Sequence, residues 1–132
     1  MTDNAKLIRL TLEQVGMLHS AWREAHELVP GPYVKHVFGF DKSQLDTYLA
    51  PLDDMAPRAL TDAEKSDETR VEPELRDPVV SAEQLRIGVE CMKLVFMFMP
   101  RGEFSTRTGY LKKEYLDFII AVDLTGNPPT SP

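Results

Sequence analysis

Cysteine occurs once in this chain, at position 91, so no disulfide can close within it. That fits a reducing compartment, and a cytoplasmic location is the expectation. Long apolar runs are also missing. The longest, Leu94 to Met99, has six residues, against the roughly 20 needed to span a bilayer. The N-terminal MTDNAKLIRL holds no stretch long enough for the apolar region of a secretory signal. Positive charge is in deficit, with 15 Lys and Arg against 21 Asp and Glu and a pI near 5.0. Nonspecific binding to DNA, RNA or an anionic membrane needs the opposite balance, so neither nucleic acid nor membrane is an expected partner.

Catalytic signatures are absent as well. The chain has no Gly-x-Ser-x-Gly, no Cys-x-x-Cys, no glycine-rich phosphate loop and no paired-carboxylate helix. Cys91 sits among Met92, Leu94 and Val95, where burial would raise its pKa and leave it inert. Glu24 and Glu27, three apart, read as a solvated pair. His19, His26 and His36 with Cys91 supply metal-type ligands, but the spacing is poor. Helical zinc ligands usually stand four apart, and position 23 is Arg23, which repels a cation. No metal, no cofactor and, on balance, no enzyme is expected.

What remains is an ordinary globular composition, 42% hydrophobic and 27% charged over 132 residues, which predicts one domain. Residues 1–124 make that domain, and 125–132 (TGNPPTSP) form a Pro-rich tail. The fold class is mainly α, a bundle of three or four helices at about 12–29, 42–54, 82–99 and 110–124. Thr11 with Gln14, and Ser81 with Gln84, have the spacing of capping boxes, in which side chains satisfy the orphan N–H groups of a first turn. Leu12, Val15, Leu18, Trp22, Ala25 and Val29 then recur at helical spacing, until Pro30-Gly31-Pro32 ends the stripe. Asp41 is an N-cap residue, and Pro51 should end or kink the helix it starts. The 82–99 helix carries two apolar seams. One runs through Leu85, Val89, Met92, Phe96 and Met99, the other through Ile87, Cys91, Leu94 and Phe98. It is therefore either the centre of the bundle or half of a subunit interface. Residues 5–10 read as a strand. Residues 33–40 read as a strand or a helical turn, and the two segments form the obvious two-stranded β element. The strings TLEQV and SAEQL look alike, but shared capping chemistry accounts for them without an internal repeat.

Charge is not spread evenly. Residues 53–77 hold nine acids (Asp53, Asp54, Asp62, Glu64, Asp67, Glu68, Glu72, Glu74 and Asp77) against four basic residues, five of the six net negative charges. With little apolar content of its own, this insert should stay in water, where a partner can reach it. The leading expectation is a non-catalytic protein-binding module, such as a small acidic inhibitor, an immunity-type protein or an accessory subunit. It would recognise a basic macromolecular surface through these carboxylates, and Phe96, Met97, Phe98 and Met99 would supply an apolar partner- or self-interface. A second reading places an anionic ligand, phosphate or carboxylate, at Arg101–Lys113. There Arg101, Arg107, Thr108, Gly109, Lys112 and Lys113 cluster around a helix start. A third is a structural homo-oligomer, a homodimer in its simplest form, joined by the second face of the 85–99 helix.

Overall fold

The computed structural model describes residues 7–55, 78–100 and 102–129. Among them a short strand β1 (Leu7–Arg9) leads into α1 (Leu12–Leu28), α2 (Gly31–Phe38), α3 (Lys42–Leu49) and α4 (Pro51–Met55). Strand β2 (Val79–Ser81) then leads into α5 (Ala82–Phe98), α6 (Phe104–Thr108) and α7 (Lys112–Thr125). This is the expected helical bundle with a small β element. No helix of the described residues is long and apolar enough to cross a membrane.

Both long helices start as their sequences dictate. Thr11 Oγ1 accepts from Gln14 N–H at 3.1 Å while Gln14 Oε1 accepts from Thr11 N–H at 2.9 Å. Ser81 and Gln84 repeat the exchange at 3.0 and 2.8 Å. Pro51 divides the expected 42–54 helix into α3 and α4, since the ring lacks the N–H that would continue the ladder. Helix α5 is the centre of the bundle. Ile87, Cys91 and Leu94, on its second seam, are as buried as Leu85, Val89 and Met92 on its first.

The β element differs from expectation in its partner. Residues 5–10 do not pair with 33–40. Leu7–Arg9 instead pairs antiparallel with Val79–Ser81, in register Leu7–Ser81, Ile8–Val80 and Arg9–Val79. The 33–40 segment belongs to α2, because Pro32 presets helical φ in the first turn and Val34 then faces the core, fully buried. Gly39, at φ 80°, closes that helix in the left-handed region.

An internal repeat, set aside on sequence grounds, is present. From Thr11 to Ser81 is a shift of 70 positions, and the same shift carries residues 8–52 onto 78–122. Each unit is a short strand, a capping box and a 17-residue helix. An extended C-cap, Val29 or Met99, and a proline, Pro30 or Pro100, follow in each. Each then has a short helix closed by a left-handed glycine, Gly39 or Gly109, and a further helix beginning at Lys42 or Lys112. Burial follows the same shift: Ile8 and Pro78, Leu10 and Val80, Val15 and Leu85, Ala25 and Val95, Val34 and Phe104, Leu45 and Tyr115 are all buried.

Two contacts between the units centre on equivalent positions, the arrangement that a pseudo-twofold axis produces. The strand register is symmetric about the Arg9–Val79 pair, whose members are themselves equivalent. Helices α1 and α5 meet at another equivalent pair, Leu18 and Gly88. A Cβ built on Gly88 would lie 2.7 Å from Leu18 Cδ2, so glycine is what lets the two helices approach. Residues 53–77 connect one half to the other.

Candidate functional site

The first half presents a polar depression of about 630 Å³ lined by Trp22, Arg23, His26, Glu27, Asp46, Ala50 and Asp53. One wall is the outer face of α1. The other is the elbow between α3 and α4, which Pro51 creates. Asp46 organises the floor: Trp22 Nε1–H donates to its Oδ1 at 2.9 Å, and its Oδ2 stands 3.1 Å from His26 Nε2. At the rim His19 Nε2 lies 2.7 Å from Asp53 Oδ1, and the His19 ring meets Trp22 edge-on at 5.7 Å. Lys42 Nζ donates to the His26 carbonyl at 2.6 Å, placing a cation where the α1 dipole is negative. Arg23 is exposed on this wall and forms no ion pair with another described residue.

A second cavity of about 280 Å³ adjoins it, lined by His19, Ser20, Arg23, Glu24, Glu27 and Arg107. Arg107 reaches from α6 to Glu24 (2.7 Å), Glu27 (3.6 Å) and Glu103 (3.9 Å). The expectation of a solvated Glu24 is corrected. Its Oε2 is buried, and the close Arg107 contact is Coulombic, because no N–H is aligned to donate to that oxygen. Burying such a carboxylate is tolerable only beside a cation.

Nucleophiles are poorly placed in this arrangement. The Ser20 hydroxyl donates to Met17 O at 2.9 Å and stands 2.5 Å from Tyr115 Oη. Burial raises the Tyr115 phenol above its ordinary value. Cys91 is fully buried, and desolvation, with a smaller contribution from Glu90, pushes its thiol up to about 12. Among the described residues no group of three or more His, Cys, Asp or Glu side chains is placed to hold a metal ion.

The residues singled out from sequence are dispersed. Of the nine acids, Asp53 is exposed on α4 and bound to His19, and the backbone of Asp54 is in α4. Asp62, Glu64, Asp67, Glu68, Glu72, Glu74 and Asp77 lie outside the described residues, as does Arg101. Phe96 stacks on Phe104 at 5.0 Å, Phe98 meets Tyr33 at 5.2 Å, and Met99 packs against the core. Only Met97 of that quartet is open to solvent, at 64%.

In the anion candidate, Arg107 is occupied by three carboxylates. Thr108 is buried, donating to Phe104 O at 2.8 Å and accepting from Tyr110 N–H at 3.1 Å. Gly109 caps the end of α6, and Lys112 and Lys113 stand exposed in the first turn of α7. Neither lysine lines the cavity that Arg107 does.

Sequence reasoning missed the pairing of His19 with Asp53 and of Trp22 and His26 with Asp46. His19, Trp22 and His26 recur at helical spacing on α1, but their acidic partners come from two other helices. No protein family, curated protein or solved structure matches this chain.

Proposed function

We propose that the chain is a non-catalytic protein-binding module that engages a basic macromolecular surface through the acidic segment 53–77, in the manner of an acidic inhibitor, an immunity-type protein or an accessory subunit. The observation that supports this is the place of the charge. Five of six net negative charges sit on the segment that joins the two equivalent halves, and the described parts of those halves already form a continuous core. Both ends of the segment are fixed. At one, Asp53 is held by His19 and Met55 packs against the core. At the other, the Pro78 carbonyl accepts from Leu10 N–H at 2.9 Å. A charged segment tied down at both ends gives an encounter field with a defined origin, which speeds and orients association with a surface of opposite sign.

Capture of companions from the native host, identified by mass spectrometry, tests the reading. A variant with Glu64, Asp67, Glu68 and Glu72 each changed to Lys is run beside the wild type. The expected result is a basic protein captured by the wild type and lost by the variant. Its association rate at low ionic strength should fall by about tenfold or more, with a flatter salt dependence. An unchanged rate and salt slope would refute the proposal.

A further inference from the structure

The two halves share a backbone plan but differ in outer chemistry. Met97, Leu116 and Ile120 occupy the positions equivalent to Glu27, Asp46 and Ala50, which line the polar depression of the first half. All three are open to solvent, at 64%, 46% and 52%. Leu124, at 80%, continues the α7 stripe through 116, 120 and 124, a four-residue spacing that puts the side chains on one face. The first half serves as an internal control. It fills the same positions with polar or small residues and keeps the same fold, so the fold does not require apolar side chains there. Exposed apolar residues gathered on one face mark an interaction surface.

The charges of α7 indicate what covers it. Lys112 and Lys113 stand in its first turn, and Asp123 stands in its last turn, which has no basic residue. The lysines oppose the helix dipole, and Asp123 shares the Lys93 ammonium (3.2 Å) with Glu90 (3.1 Å), which leaves that end with a net negative charge. The N-cap residue, Leu111, has no side-chain acceptor, and Glu114 is used in accepting from Leu111 N–H at 2.9 Å. A second α7 running antiparallel would place each pair of lysines beside the other helix's acidic, negative end. That offsets the lysine pair at each helix start and meets the net negative charge of the Glu90–Lys93–Asp123 group at each helix end, as one twofold operation requires.

We propose that this face is the interface of a homodimer in which α7 packs antiparallel against α7 of a second copy. With the twofold near residue 118, Leu116 meets Ile120 of the second copy and Lys113 meets Asp123 of the second copy. Met97 and Leu124 border the contact. The assignment is independent of the acidic segment's role, and reversing charges in residues 53–77 leaves it unchanged.

Sedimentation equilibrium and light scattering of the full chain over a dilution series test it. The expected behaviour is a reversible monomer–dimer equilibrium. Ile120→Glu and Leu116→Glu should each raise the dissociation constant by about tenfold or more without altering the circular dichroism spectrum, since both side chains face solvent in the monomer. Lys113→Glu should raise it severalfold by setting like charges against Asp123. A monomer at every concentration overturns the proposal and leaves the face to a different protein. A dimer indifferent to Ile120→Glu and Leu116→Glu overturns the interface, and one indifferent to Lys113→Glu overturns the antiparallel arrangement.

Discussion

Gly88→Ala should change sign with its background. In the wild type the added Cβ would lie 2.7 Å from Leu18 Cδ2 and 3.6 Å from its Cγ, and Leu18, only 1% exposed, must shift within a packed core to admit it. Overpacking of this kind costs about 1–3 kcal/mol. Replacing a mid-helix glycine returns about 1 kcal/mol of helix propensity, so the net effect is a loss of about 1 kcal/mol. Leu18→Ala alone opens a cavity worth about 2–5 kcal/mol. It also removes the two Leu18 atoms that the new methyl meets first. In that background Gly88→Ala keeps its propensity gain and refills one methyl's worth of space, so it should stabilise by about 1–2 kcal/mol. The cycle therefore predicts a coupling of about 2–3 kcal/mol between the two positions. Urea unfolding followed by circular dichroism measures it, with a constant m-value confirming that only stability has changed. If Gly88→Ala has the same effect in both backgrounds, the close helix crossing on the pseudo-twofold axis is wrong.

Two further outcomes follow from single groups. The Asp41 carboxyl is held below its ordinary value of 3.8, chiefly by the Gln44 N–H it accepts at 3.0 Å, and also by the Ser43 hydroxyl. A carboxyl lowered in the folded state stabilises above its unfolded pKa, and that contribution is lost as the pH falls through the folded value. Thermal melts of wild type and Asp41→Asn, which caps without titrating, should therefore converge between about pH 5 and pH 2. A constant difference refutes the assignment. Cys91, with its thiol at about 12, should resist alkylation at neutral pH in the folded protein and react promptly in urea; rapid native-state labelling would contradict its burial.

The helices were legible because their starts are written locally. Thr11 with Gln14 and Ser81 with Gln84 place hydroxyl and amide where the first-turn N–H groups need them, and the apolar stripe behind each fixes the buried face. The repeat was not legible, because it is conserved as shape rather than as letters. At a shift of 70 few residues coincide beyond Glu13 with Glu83, Gln14 with Gln84, Pro30 with Pro100, Gly39 with Gly109, Lys42 with Lys112 and Asp53 with Asp123. Large and small residues exchange at the axis, as Leu18 and Gly88 do. The constant spacing of two prolines and two left-handed glycines behind two capping boxes was the available signal. The strand partner failed for a related reason. Proximity in the chain favoured 33–40, whereas Leu7–Arg9 pairs with the strand of the other unit, about the equivalent pair Arg9 and Val79. The polar depression was only half visible, since Asp46 and Asp53 reach α1 through an elbow whose angle no local pattern encodes.

The strand pairing across some 70 positions also governs how the protein is born. On the ribosome, α1 leaves the exit tunnel well before α5 has been translated, and its apolar stripe has no sister helix to cover it. The nine acids of residues 53–77 are translated in between, and like charges repel. The strand ladder and the α1–α5 crossing can form only once the second unit has been made, so these two long-range contacts are late events.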